Sequence, residues 1–245
     1  MSLSKAGMAS SSDKLSSFRL GLQNEAEKLI IEVFPQKVLD YEEMLASERF
    51  SYSRLTEILP IGDLNIPMTE SNGDVVEDAP LAKKRKIDNG ETFVKSAVVV
   101  ATNEHLGELM DEIRPMIRDA VENMNKIKMW ITLLIPRIED GNNFGVSIQE
   151  EALSEVRTTE GEAASFLDQL SRYFVGRAKL LTKVAKYPNV ADYRRAILDM
   201  DEKQFVNIRL VLTELRNHFA TLHDMITKNM EKIKKPRTSN HDNMY

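Results

Sequence analysis

Histidine is the residue of this sequence best suited to metal binding or acid–base chemistry, because the chain has four histidines and no cysteine. Two Glu-x-x-His motifs facing the inside of a helical bundle would indicate a di-iron site. The helical histidines lack this spacing, since Leu215 precedes His218 by three residues and Ala220 precedes His223. Phosphate-binding, zinc-protease and serine-hydrolase motifs are also missing. We therefore predict no catalytic residue, no cofactor site and no metal site.

The most distinctive stretch is a turn-rich segment between two long apolar helical patterns. One pattern ends at Pro136 and the next begins at about Ser147. Glycine accepts positive φ without steric cost and asparagine tolerates it, so the pairs Asp140-Gly141 and Asn142-Asn143 predict a turn at residues 140–143. Ser147 followed by Glu150 has the spacing of a capping box, which predicts that the next helix starts at Ser147.

Phe144 is the unusual member of this segment, since it is an aromatic residue among small and amide neighbours. A turn that only reverses the chain does not need it. Two interpretations stay open: the ring packs between the two helix ends as a plug, or it contacts a partner.

The composition describes an acidic chain of 245 residues with 42% hydrophobic residues and a net charge of −5. This charge argues against nucleic acid or an anionic membrane as the partner of the main body. The lack of cysteine excludes disulfides and thiolate zinc sites. No run of about eighteen apolar residues occurs, so no transmembrane helix is expected. The first residues lack the apolar core of a secretory signal, which predicts an intracellular protein.

The first part of the chain divides into three predicted segments. Residues 1–12 are small and polar, which predicts a disordered N-terminus. Residues 13–46 have apolar side chains spaced by threes and fours, which predicts a first helix with a kink at Phe34 and Pro35. Residues 47–102 carry prolines, glycines and an acidic patch, which predicts a flexible connection with a short helix near residues 52–59.

The second part, residues 103–236, has the apolar spacing of three further long helices. They are expected to begin near Glu104, Ser147 and Ala191. Residues 237–245 form a polar C-terminal tail. The predicted fold is an all-α, elongated up-down four-helix bundle, because short connections make neighbouring helices antiparallel. The apolar stripes are wide, which indicates either a broad core or protomers that pack side by side.

Two further segments have possible functions. The basic run Lys83, Lys84, Arg85 and Lys86 predicts a nuclear localisation signal or a solvated charge run. The tail ends in an aromatic residue with a free carboxylate, so Met244 and Tyr245 either dock into a cationic pocket or form a frayed end.

Several of these stretches together resemble the 11S proteasome activator family, also called REG or PA28. They are PRIEDGNNFGVSIQEE from Pro136, KMW from Lys128, AKYPNVADYRR from Ala185, and LHDMITKNMEKIKKPR before the tail. Within the family the chain resembles the nuclear gamma type, because its connection carries KKRK and lacks an insert of alternating Lys and Glu.

The resemblance implies a homoheptameric ring of four-helix protomers that caps the 20S proteasome core and opens its gate without ATP. It also implies a nuclear location, docking by Met244 and Tyr245, and an activation loop between helices two and three. That loop corresponds to Arg137, Ile138, Glu139, Asp140, Gly141, Asn142, Asn143, Phe144, Gly145 and Val146.

Two other readings compete with a proteasome activator. One is a nuclear helical scaffold that recruits clients without activating a protease. The other is an amphipathic lipid-binding bundle, which the acidic balance disfavours. An enzyme is the least favoured class, since no catalytic constellation is present.

Overall fold

The computed structural model describes residues 3–59 and 100–237, and the side chains among them from residue 11 onward. The described residues form helices and no strands, which confirms the all-α prediction. The long helices are α1 (Leu3–Lys28), α2 (Phe34–Ala46), α4 (Glu104–Leu134), α5 (Phe144–Lys186) and α6 (Ala191–Lys234). A short helix, α3 (Leu55–Ile58), follows two 3-10 turns at Glu48–Phe50 and Tyr52–Arg54.

Helix α1 begins at Leu3, earlier than the predicted start at residue 13. Residues 3–12 therefore extend the helix rather than forming the disordered segment that their small polar side chains suggest. The physical reason is that this stretch contains no proline, and alanine, lysine, methionine and serine are compatible with a helix that has already nucleated. The basic segment at residues 83–86 and the tail residues Met244 and Tyr245 lie outside the described residues.

A π-helical turn at Leu29–Val33 joins α1 to α2, immediately before the predicted kink at Phe34 and Pro35. Proline has no N–H to donate to the carbonyl of Ile31, and its ring crowds that carbonyl. The helical hydrogen bonds change here from a spacing of four residues to a spacing of five, and the Phe34 N–H donates to the Leu29 carbonyl. The backbone therefore stays helical through this point, but its hydrogen-bond ladder is irregular.

One apolar core runs along the four long helices, with α1 and α2 counted together as the first. Phe34 packs edge-on against Phe219 with ring centroids 4.8 Å apart. Ion pairs show that the first helix runs antiparallel to α4, since Glu25 of α1 pairs with Lys126, and Lys37 of α2, further along, pairs with Asp119 at 2.6 Å. The short connections make α4 and α5, and then α5 and α6, antiparallel, which gives the up-down order.

A buried polar cluster joins three elements near the α5–α6 turn. The Asp201 carboxylate of α6 is fully buried and accepts from Arg177 Nε at 3.0 Å and from the Tyr173 hydroxyl at 2.8 Å. It also accepts from Asn103 Nδ2 at 3.1 Å, and the Asn103 carboxamide oxygen caps α4 through the Leu106 N–H. Burial, with the adjacent Asp201 charge, raises the pKa of the Tyr173 hydroxyl, so it remains a donor.

The same cluster joins the start of α4 to the short helix α3. Asn103 Nδ2 also donates to the Ile58 carbonyl at 2.9 Å. This contact lies at the start of α4, which is the opposite end of that helix from the α4–α5 connection.

Replacing Asp201 with alanine is expected to lower the free energy of unfolding by about 3–5 kcal/mol, because Arg177 stays buried without its counter-charge. Urea denaturation at a fixed protein concentration measures this loss. The matched control is Asp199→Ala, which removes an exposed carboxylate of α6 paired with Arg195 at 2.9 Å. The control should change stability by less than about 1 kcal/mol. Equal losses in the two variants would contradict a structural role for the cluster.

Candidate functional site

The connection between α4 and α5 occupies residues 135–143, so it starts two residues before and ends three residues before the predicted loop of residues 137–146. Helix α4 ends at Leu134 because Pro136 disfavours a helical conformation at Ile135, whose ψ is 122°. Helix α5 begins at Phe144, so Phe144, Gly145 and Val146 lie in its first turn rather than in the loop.

The capping-box prediction at Ser147 is wrong. Both the N–H and the hydroxyl of Ser147 donate to the Asn143 carbonyl, at 2.9 and 3.2 Å, so Ser147 already lies inside the helix. A serine four residues after a carbonyl can form such an i−4 bond within a helix, and the Ser-x-x-Glu spacing does not distinguish the two cases.

The predicted turn at residues 140–143 is confirmed by the backbone. Gly141 has a φ of +82° and Asn142 a φ of +46°, which places two successive residues in the left-handed region. Glycine and asparagine are the residues that adopt this region at low cost. The chain therefore reverses sharply and presents residues 137–144 to solvent.

Phe144 does not plug the space between the helix ends. Its side chain is 73% exposed, and Ile138 on the other side of the turn is fully exposed. Both are large apolar side chains at the surface of a short turn, and their contact with a partner stays a prediction. The exposure of Phe144 therefore contradicts the interpretation of its ring as a plug between the helix ends.

Gln149 of α5 fixes the helix ends on either side of this loop. Its side chain is fully buried, and Nε2 donates to the Leu134 carbonyl at 3.2 Å and to the Ile233 carbonyl at 2.6 Å. Those carbonyls belong to the last turns of α4 and α6, where helix carbonyls lack partners within the helix. One carboxamide therefore joins the ends of three helices.

The chain after α6 also packs directly against the start of α5. A Cβ at Gly145 would lie 2.1 Å from the Pro236 carbonyl oxygen, so only glycine allows this approach. Arg237 then donates to the Glu139 carboxylate at 2.9 Å and to the Asn143 carboxamide oxygen at 3.1 Å. The structure thus brings the predicted loop to the start of the predicted tail, while the roles of the loop residues stay predictions.

Sequence reasoning missed Gln149, Pro236 and Arg237. Gln149 did have a signal, because it is a polar residue on the helix stripe that buries Gly145 and Leu153. Arg237 had none, since its partners are distant in sequence. Among the residues that the structure describes, no group of three or more acidic or histidine side chains could hold a metal ion. Within the same residues, no helix is long and apolar enough to cross a membrane.

Comparison with known proteins places this helical bundle in a class of regulatory proteins. The sequence matches two family descriptions, "Proteasome activator PA28, N-terminal" over residues 9–71 and "Proteasome activator PA28, C-terminal" over residues 99–243. The chain therefore belongs to the proteasome activator PA28 family, which confirms the resemblance.

Individual relatives are similar along nearly the whole chain. The sequence is 46% identical over 243 residues to human proteasome activator complex subunit 3 and 47% identical to the chicken protein of that name, covering 95% of each chain. The fold matches the 11S subunit PA28 of the Plasmodium falciparum proteasome with a TM-score of 0.70 and 31% identity, covering 92% of this chain and 91% of that one. An 11S activator solved in complex with a proteasome shares the fold at 15% identity, with a TM-score of 0.64 and coverage of 92% and 98%.

The contact between Gly145 and Pro236 leads to a stability prediction. Gly145→Ala should cost about 1–3 kcal/mol of unfolding free energy, because the new methyl group meets a backbone carbonyl that must move. Gly161→Ala is the matched control in the same helix, where a Cβ would meet nothing within 4 Å. The control should gain about 0.5–1 kcal/mol from helix propensity. Urea denaturation of both variants measures the difference, and the same sign of change in both would contradict the close approach.

Proposed function

We propose that this protein is a non-catalytic, ATP-independent activator that caps the 20S proteasome core and opens its gate. Family membership supports this function, and the observation that carries it is geometric. The exposed turn with Ile138 and Phe144 is held by Gly145 and Arg237 at the start of the C-terminal tail. Elements that bind the core and elements that act on its gate would therefore meet the same surface.

The two tasks fall on different residues. The tail residues Met244 and Tyr245 dock into pockets of the core, and the segment Arg137–Val146 displaces the gate. A single short tail binds weakly, but several tails on one rigid ring share a high effective concentration. Binding energy is thus supplied by the tails, and the loop needs only to be in the correct place.

Self-assembly supplies those several tails. The first helix exposes large apolar side chains that a solvated monomer has no reason to display in such number. They support side-by-side packing of copies into a homoheptamer, and sedimentation analysis that finds a monomer at micromolar concentration would contradict it. The exposed side chains are Leu15, Phe18, Leu20, Ile31 and Leu39.

The basic run Lys83–Lys86 directs the protein to the nucleus in this proposal. The run lies in the sequence between Ile58 and Asn103, and the contact of these two residues is at the opposite end of α4 from the segment Arg137–Val146. Replacing these four residues with alanine should leave a fluorescently tagged protein in the cytoplasm, and unchanged nuclear signal would refute the assignment.

The decisive experiment measures cleavage of short fluorogenic peptides by a purified latent 20S core. Full-length protein should stimulate cleavage, and a variant ending at Asn243 should not, because it lacks the docking residues. The paired variants Ile138→Ala and Phe144→Ala should still bind the core but reach a lower plateau of stimulation, since these exposed side chains contribute little to the fold.

Val190→Ala is the matched control for the loop variants, because it removes an exposed apolar side chain at the α5–α6 turn. It should reach the full plateau. No stimulation by the full-length protein, with a stable oligomer present, would refute the activator and favour the nuclear scaffold.

A further inference from the structure

Arg237 lies three residues after the end of α6, and its side chain bridges the two sides of the α4–α5 connection, residues 135–143, which is called the loop below. Its Nη1 donates to Glu139 Oε2 at 2.9 Å, and its Nη2 donates to Asn143 Oδ1 at 3.1 Å. Glu139 precedes the left-handed turn at Gly141 and Asn142, and Asn143 follows it. One planar guanidinium thus contacts both sides of the reversal, a geometry that a lysine ammonium cannot reproduce.

The loop itself closes around this contact. The Asn143 carboxamide donates to the Glu139 carbonyl at 3.3 Å while its oxygen accepts from Arg237. Arg137 pairs with the second oxygen of the Glu139 carboxylate. Both Glu139 carboxylate oxygens and both ends of the Asn143 carboxamide therefore have a partner, and Arg237 supplies the partner from outside the loop.

Burial of loop side chains does not hold the loop in place. Residues 137–144 are all exposed, so no buried side chain fixes the turn relative to the bundle. Arg237 is different, since its side chain is only 19% exposed. A mostly exposed ion pair stabilises a protein very little. This partly buried, two-pronged and charge-assisted contact is the stronger kind.

We propose that Arg237 is a positioning residue for gate opening. It holds the loop in the position from which the loop meets the core once the tail has docked. This inference rests on the proposed activator function and adds a coupling between its two parts. Arg237 begins the tail segment 237–245, so the residue that positions the loop belongs to the segment that binds. Loss of the guanidinium should leave docking intact and release the loop.

The test is a titration of latent 20S core with the full-length protein and its variants, followed by peptide cleavage. The half-saturating concentration reports docking, and the plateau reports gate opening by the bound activator. Arg237→Ala should keep the half-saturating concentration and lower the plateau by about tenfold, equivalent to about 1.4 kcal/mol. Arg237→Lys keeps the positive charge but lacks the two guanidinium nitrogens that donate to Glu139 and Asn143, so it should give an intermediate plateau.

A double-mutant cycle separates positioning from general damage. Glu139→Ala should also lower the plateau, and the double variant should be no worse than the more impaired single variant, because the two side chains share the Arg237–Glu139 contact. Arg195→Ala is the matched control, since it removes an exposed arginine paired with Asp199 on α6. It should behave as the wild type.

Three results would overturn the inference. A raised half-saturating concentration with a normal plateau would assign Arg237 to docking. Additive losses in the double variant would show that Arg237 and Glu139 act independently. A normal titration for Arg237→Ala, beside clear stimulation by the wild type, would make the contact irrelevant to activation. If the wild type itself fails to stimulate, the proposed function fails and the coupling falls with it.

Discussion

The hydrogen bonds from the Gln149 side chain are the interactions on which the candidate site depends. Two carbonyls at the ends of α4 and α6 accept from a single buried Nε2. Leaving such a buried group unpaired costs about 1–3 kcal/mol, so the three helices are held to one arrangement at this end. The loop starts directly after the first carbonyl, and the segment leading to the tail starts directly after the second. The loop and the tail segment therefore start close together because Gln149 joins the two helix ends, independently of the contacts that they make with each other.

The opposite end has a polar anchor of a different kind. Asp201 holds Arg177 and Asn103, and through them it fixes α5, the start of α4 and the end of the short helix α3. Between the two anchors most buried side chains are apolar, and the buried polar ones among the described residues are Asn123, Thr159, Gln204 and His218. An apolar stripe repeated along long helices does not by itself define how far one helix is displaced along another. Polar groups that must be paired do define it, because a shift would leave them buried and unsatisfied.

Much of the fold was predictable because it follows from local sequence. The apolar spacing located the long helices, and α4 begins and ends as expected because Asn103 caps it and Pro136 stops it. The start of α5 was misplaced because Ser147 fits both a cap and an interior helix position. The start of α1 was misplaced because polar composition was taken for disorder. The left-handed turn was predictable from Gly141 and Asn142, whose backbone freedom is a local property.

The candidate site was only partly predictable. Family resemblance supplied the loop, but the exposure of Phe144 depends on where α5 starts. The contacts of Gln149 and Arg237 join residues that are far apart in sequence. No periodicity or motif encodes such pairings, because they depend on how three helices end in space. The physical link between the loop and the tail is therefore visible only in the folded protein.

Hydrogen exchange in Gln149→Met tests this account most directly. Methionine keeps the volume of the side chain and removes the donor that joins α4 to α6. The account predicts that backbone amides in the last turns of both helices, at residues 131–135 and 231–235, exchange faster together, by about tenfold, equivalent to about 1.4 kcal/mol. Amides in the middle of α4 should not change. Unchanged exchange at both ends, or a change confined to one of them, would contradict the claim that the Gln149 side chain joins the ends of α4 and α6, from which the loop and the tail segment start.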